Sequence, residues 1–267
     1  MFAIWFDMDI TNFVESLYKA DNFKAAFDAF ESEVTKLGLD GVLYTYIPRA
    51  FIDQGLSVQP VYEVSRDFSP GYLQHYESAR FEQHDPLIKA VVDGENRPLS
   101  WWGPICGSYT DKCSKSLEVL HASRDYGIEN GVTLPLMSGA QGIAGASFIT
   151  GENRLFDELM ADRLEALKIR AQLFHSMVIS DVQFSGRFIQ PFFAALNSTE
   201  KRYICGLAAG KSSVQLAAEL QRSEKYLEQL MLKIRRKLSG VSPDDSPMLN
   251  RNQVLYYSSL LKLLEDF

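Results

Sequence analysis

The sequence predicts an α+β domain, an α/β/α sandwich around a central antiparallel sheet, followed by an all-helical domain. Three observations predict it. Apolar residues recur at helical spacing near both ends of the first 180 residues. Short β-rich stretches lie between those ends. Beyond residue 195 the pattern is helical throughout, with capping signals. A length of 267 residues suits two domains, and 46% apolar with 12% aromatic content supplies ample core and argues against disorder.

The elements follow in chain order. The opening MFAIWFDMDI is apolar but has no basic stretch and carries Asp7 and Asp9, so it does not read as a signal peptide. Phe23, Ala26, Phe27, Phe30, Val34 and Leu37 trace one helix, which Gly38 stops. Gly41 to Ile47 is β-rich and ends at Pro48, and a second strand covers Ser57 to Val64. Pro70 opens a helix through Tyr72 to Ala79, and Pro86 opens another through Val92. Ser116 to Tyr126 is amphipathic and closes at Gly127. Gly131–Leu136 and Ile143–Thr150 form a strand pair across a Gly-rich turn. Leu155, Leu159, Leu164, Leu167, Phe174, Met177 and Val178 mark a long helix that completes a domain over residues 1–180. Residues 181–195 hold Gly186 and Pro191, break the helical pattern, and read as a linker. The phenylalanines at 184, 188, 192 and 193 suggest that this linker packs against a domain.

Residues 196–267 form the second domain. Two breaks, at Ala209–Ser212 and Gln221–Ser223, divide 196–238 into three short helices. Asn197 with Glu200, and Ser212 with Gln215, are capping-box pairs, and Ser223 can cap the third helix. Leu227, Met231, Ile234 and Leu238 form its inward stripe; Lys225, Glu228, Gln229, Leu232, Lys233, Arg235 and Arg236 face elsewhere, and Lys237 completes a basic cluster. Two helices joined by a tight turn, the second able to enter a major groove, form a helix-turn-helix. Charge agrees. Residues 1–195 carry 16 basic and 26 acidic side chains, whereas residues 196–267 carry 11 and 8. Phosphates respond to local charge, so double-stranded DNA is the expected partner of the second domain despite a net charge of −7. A helical hairpin that binds a partner protein is the alternative.

Other classes find little support. Cys106, Cys113 and Cys205 are odd in number, match no metal spacing, and read as reduced thiols of a cytoplasmic protein. His75, His84, His121 and His175 lack any metalloprotease, redox or nucleophile-elbow context, and Gly139–Gly145 lacks the Lys-Ser/Thr of a phosphate loop. No catalytic residue, metal or cofactor is expected. No run approaches the roughly 18 apolar residues of a membrane span.

The C-terminal motifs resemble the LuxR-type helix-turn-helix of quorum-sensing regulators. They are Leu196 and Glu200, Ala208-Ala209-Gly210-Lys211-Ser212, Ser223-Glu224 and Lys237-Leu238. The resemblance implies DNA contacts from Lys211, Lys225, Glu228, Gln229, Leu232, Lys233 and Arg236. It also implies a homodimer, supported by a fourth helix over Asn250 to Leu264 that Asn250 and Gln253 cap. The chain departs from the family at Tyr226-Leu227 and Leu230, and in the longer insert Ser242 to Pro247.

The first domain carries the family's sensor marks in order: Tyr76, Asp85-Pro86, Trp101 (with Trp102 competing) and Gly131. The resemblance implies a small-molecule autoinducer, an N-acyl-homoserine lactone, whose buried amide and carbonyls each need a partner. Asp85 would accept from the amide N–H and Tyr76 would donate to the acyl carbonyl. Ser147, fourteen residues after Thr133, would add a hydroxyl, and Trp101 would wall the head group. Tyr72 stands where the family has Trp, and Phe68 where some members have Tyr. Either Tyr72 serves the lactone, or the head group is not a lactone. Without the resemblance, Asp85 is also a helix N-cap, Gly131 a turn, and Tyr76 and Trp101 core aromatics.

Overall fold

The computed structural model describes residues 2–56, 58–111, 113–151, 156–239 and 249–260. Helices α1 (Phe2–Tyr18) and α2 (Phe23–Lys36) precede strand β1 (Gly41–Pro48), a short helix α3 (Arg49–Ile52) and strand β2 (Tyr62–Val64). Helix α4 (Pro70–Ser78), a 3-10 turn at Phe81–Gln83 and helix α5 (Pro86–Val92) follow. Strand β3 (Leu99–Ser100), helices α6 (Pro104–Thr110) and α7 (Ser114–Asp125), and strands β4 (Asn130–Ser138) and β5 (Gly142–Thr150) come next. The described chain ends with α8 (Phe156–Ser180), α9 (Val182–Phe193), α10 (Ser198–Ala208), α11 (Ser213–Leu220), α12 (Glu224–Ser239) and α13 (Arg251–Leu260).

The sheet is antiparallel throughout, in the order β2-β1-β5-β4-β3. Side chains alternate between its faces. Tyr44, Tyr46 and Phe148 point to one layer, where Tyr44 meets Phe174 of α8 at 5.0 Å and Phe188 of α9 at 5.5 Å. Phe30 of α2 meets Phe148 at 6.1 Å in the same layer. The buried Arg170–Glu33 pair, 2.8 Å apart, fastens α8 to α2. Leu43, Thr45, Ile47 and Ser147 point to the other face, under α4, α5 and α7. The mixed architecture of helices and an antiparallel sheet is therefore as the sequence predicts.

Several elements differ from the prediction. The second strand is only three residues long because Pro60 has no N–H for the ladder; Thr45 Oγ1 instead donates to the Val61 carbonyl at 2.8 Å. Segment 182–193, read as an irregular linker, is a helix that Asp181 caps through the Gln183 N–H. Pro191 lies inside the helix and removes one i−4 donor near its end, and Phe184 and Phe188, packed edge-on against Phe23, offset that loss. Helices α1, α3 and α6 and strand β3 carried no clear sequence signal. Leu155 of the long-helix prediction, the 242–247 insert and residues 261–264 of the fourth helix lie outside the described residues.

Candidate functional site

The sheet face opposite α8 and α9 borders a small cavity of about 70 Å³. Leu43, Ile47 and Ile143 line its sheet side, and Leu73, Leu87, Ile88, Val91, Val119 and Leu120 line its helical side. Such a lining suits an apolar tail, and a few polar groups converge within it.

Asp85 and Tyr76 form the first polar group. Ser69 caps α4, and Pro70 in its first turn fixes the entry, which turns Tyr72 and Tyr76 inward one turn apart. Asp85 caps α5: its Oδ1 accepts from the Leu87 N–H at 2.7 Å and the Ile88 N–H at 3.4 Å. Its Oδ2 accepts from the Tyr76 hydroxyl at 2.7 Å. Burial pushes the Asp85 carboxyl pKa up, and these hydrogen bonds pull it back toward the carboxylate. A carboxylate oxygen with one donor still has a lone pair for another, so Oδ2 can take an N–H from a ligand.

The second group lies on the sheet. The Trp101 indole N–H donates to Thr133 Oγ1 at 3.0 Å, and Thr133 Oγ1 shares a proton with Ser147 Oγ at 2.7 Å. Whichever hydroxyl donates, the other keeps a proton for the cavity. The register places Thr133 directly opposite Ser147 across β4 and β5. Gly131 does not line the cavity. A Cβ there would stand 2.5 Å from the Trp101 ring, so this glycine makes room for the indole. Trp102 faces away: its indole donates to the Glu129 carbonyl at 3.1 Å, with Arg124 stacked over the ring at 3.6 Å. The structure thus brings together Phe68, Tyr72, Tyr76, Asp85, Trp101 and Ser147, and sets Gly131 behind Trp101. Sequence reasoning missed Tyr62 and Thr45 as wall residues, and Thr133 as the link between Trp101 and Ser147. The fourteen-residue spacing of Thr133 and Ser147 was their only signal.

At the C-terminal end, both capping boxes form. Asn197 and Glu200 exchange bonds of 2.8 and 2.9 Å, Ser212 and Gln215 of 2.8 and 3.3 Å. Ser223 accepts from the Tyr226 N–H, and Asn250 pairs with Gln253. Three residues join α11 to α12, with Gln221 left-handed at φ +53°. A Cβ on Gly206 would stand 2.3 Å from Leu216, so this glycine lets α10 and α11 approach closely. Lys225, Glu228, Gln229, Leu232, Lys233 and Arg236 are exposed on α12, while Lys211 pairs with Glu219 at 2.7 Å. The basic cluster divides. Lys237 bonds the Ala195 carbonyl and buried Glu200, and Arg235 bonds the Leu249 carbonyl, so both serve the fold. Leu230 joins the buried stripe.

Among the described residues, no group of three or more His, Cys, Asp or Glu could hold a metal ion, and no helix is long and apolar enough to cross a membrane. The family model of the autoinducer binding domain matches residues 22–178, more than half of the chain. Among solved structures, Escherichia coli SdiA is similar, with a TM-score of 0.55 and 17% identity over 99% of each chain. SdiA in complex with octanoyl-rac-glycerol is similar with a TM-score of 0.53 and 18% identity, over 97% of this chain and 95% of that one. These likenesses show a shared fold. No curated protein matches the sequence.

Proposed function

This chain belongs to the autoinducer-binding-domain family, in keeping with its LuxR-type motifs, and from that premise we propose that it is a ligand-responsive transcriptional regulator. The family is one of non-enzymatic receptors. The signal in this reading is an N-acyl-homoserine lactone or a similar acyl compound with a compact polar head. The observation that carries it is the convergence of Asp85–Tyr76 and Ser147–Thr133–Trp101 on one apolar cavity. The amide N–H goes to Asp85 Oδ2 and the acyl carbonyl to the proton left over on Ser147 or Thr133. Tyr76 has already given its proton to Asp85, so it orients the carboxylate until a ligand carbonyl competes for it. Tyr72 offers a phenol to the outer end of the head group. That SdiA holds octanoyl-rac-glycerol supports a cavity of this fold taking a medium acyl chain.

The division into residues 1–180, a connecting segment 181–195 and residues 196–267 is part of the same reading, with a cytoplasmic location. Helices α11 and α12 act as a helix-turn-helix, with Lys225, Glu228, Gln229, Leu232, Lys233 and Arg236 facing the groove and Lys211 beside the phosphates. Glu228 can accept from cytosine N4 and Gln229 can read adenine. Two copies, paired about a two-fold axis, place two such helices one helical turn apart on a symmetric operator.

The test is duplex selection from a random pool by the full chain, with and without N-octanoyl homoserine lactone. The expected result is a two-fold-symmetric site whose affinity changes with ligand and falls with salt, and an Asp85→Ala protein that no longer responds to ligand. Absence of any enriched duplex in both conditions sinks the DNA reading and favours a protein partner for α12.

A further inference from the structure

The turn that follows α3 joins three parts of the molecule. Strand β1, whose Thr45 and Ile47 line the cavity, runs through Pro48 into α3 and then into residues 53–56. Arg80 lies between α4 and the 3-10 turn that leads to Asp85. It donates through Nη2 to the Leu56 carbonyl and through Nε to buried Glu82. Tyr257 of α13 donates to Asp53 Oδ2 at 2.5 Å, while Asp53 Oδ1 accepts from Arg49 Nε at 2.7 Å. The sheet wall of the cavity thus reaches this turn through the backbone and the helical wall reaches it through Arg80. The C-terminal helices reach it through Tyr257.

The backbone of this junction is strained. Leu56 at φ +56° and Arg80 at φ +55° are two of only three described non-glycine residues in the left-handed region, and they are bonded to each other. Such residues persist only where their surroundings hold them, and they gather at switch segments. The cavity is also contracted. Its volume of about 70 Å³ is roughly half the ~150 Å³ of an apolar cavity that takes one benzene. An octanoyl chain with a polar head is larger than benzene, so it enters only if the walls part. Parting the sheet wall from the helical wall loads the turn to which both are tied. Asp53 stands at the start of that turn. Helix α13 in its turn packs on α10 and α12, and Arg235 of α12 bonds the Leu249 carbonyl at the entry to α13.

Resting on the reading of this cavity as an acyl-signal site, we propose that the Asp53–Tyr257 hydrogen bond is a latch between the sensor domain and the C-terminal helices, and that a seated ligand opens it. In the contracted arrangement the latch holds α13 against the turn after α3. Filling the cavity displaces that turn through Arg80 and draws Asp53 away from Tyr257. Helix α13, and α12 with it, is then free to take a second position. By linkage the effect runs both ways: ligand weakens the latch, and loss of the latch strengthens ligand binding.

The test titrates N-octanoyl homoserine lactone calorimetrically into the full chain, Tyr257→Phe, Asp53→Ala and the double variant, and follows amide hydrogen exchange along α13 in each. Tyr257→Phe keeps the packed ring and loses only the hydroxyl; Asp53→Ala removes the same bond from the other side. The expected result is lactone binding roughly threefold to tenfold tighter in either single variant, the reach of one hydrogen bond. The double variant should gain no more than either single one. Lactone should speed exchange along α13 in the parent protein, and both variants should show the faster exchange before lactone is added. Equal or weaker lactone binding in the variants overturns the inference. So does α13 exchange in the parent that lactone leaves unchanged or slows, and so do additive gains in the double variant. In each of these cases lactone still binds and the cavity reading stands. If lactone binds none of the proteins, the cavity reading falls and takes the inference with it.

Discussion

Asp85 spends one carboxylate oxygen on the backbone and turns the other to the cavity. The two uses can be separated. Asn is as good an N-cap as Asp, so Asp85→Asn keeps the start of α5, whereas Asp85→Ala loses it and about 1 kcal/mol of stability in denaturant unfolding. Both variants should lose most of the ligand response; full affinity in Asp85→Asn would remove the carboxylate charge from recognition. Burial raises the Asp85 pKa. Ligand affinity should therefore weaken as pH falls toward that raised value, because a protonated carboxyl accepts an amide N–H less well. An affinity that stays flat as pH falls all the way to the ordinary carboxylate range would contradict this. Gly131→Ala tests the seat of Trp101: a Cβ 2.5 Å from the indole must displace it, at a cost of about 1–3 kcal/mol and with weaker ligand binding. The motif residues were legible because an aromatic pair on one helix face, an Asp-Pro and a Trp each have a local signature. Tyr62 was not. It lies on a three-residue edge strand, and only tertiary packing brings it to the cavity.

At the scale of elements, local chemistry predicted what it controls. Capping pairs at Asn197, Ser212 and Asn250 mark the starts of α10, α11 and α13, and left-handed glycines at 38 and 127 follow the ends of α2 and α7. Helix α9 escaped because Gly186 and Pro191 are breakers on propensity alone. Burial of Phe184 and Phe188 against Phe23, together with the 2.7 Å Arg187–Glu63 pair, outweighs them. Phe188→Ala should accordingly cost about 3–5 kcal/mol, as for a core residue, in equilibrium unfolding. A change within about 0.5 kcal/mol would return the segment to a loosely held linker. On α12, Arg236→Ala should lower the slope of DNA affinity against salt by about one, while Lys237→Ala, and in part Lys233→Ala, should act through stability, because both lysines pair with buried Glu200. An unchanged salt slope in Arg236→Ala would take that residue off the phosphates.

At the scale of the whole molecule, contacts far apart in sequence join the layers. Tyr44 and His175 pair at 2.8 Å beneath the sheet, and Tyr257 of α13 donates to Asp53, just after α3, at 2.5 Å. The sequence announced neither, since both partners lie more than a hundred residues apart. Burial lowers the His175 pKa to about 4, below the unfolded value of about 6.5. The unfolded chain then binds the proton more readily. The stability this residue protects is complete above about pH 6.5 and is lost as pH falls toward 4, by roughly 1.4 kcal/mol per unit. Urea titrations between about pH 6.5 and about pH 5 should show this slope, and His175→Gln should lose it. An equal slope in both proteins would place the titration elsewhere. In the proposed function the cavity beneath α4 and α5 is the signal site. Thermal melts of the full chain against acyl-homoserine lactones of graded tail length test it most directly. At a hundred times its dissociation constant a bound ligand adds about 2.7 kcal/mol, a visible rise in melting temperature. The expected rise peaks at one tail length and vanishes in Asp85→Ala. A rise that ignores tail length or survives in Asp85→Ala would contradict it.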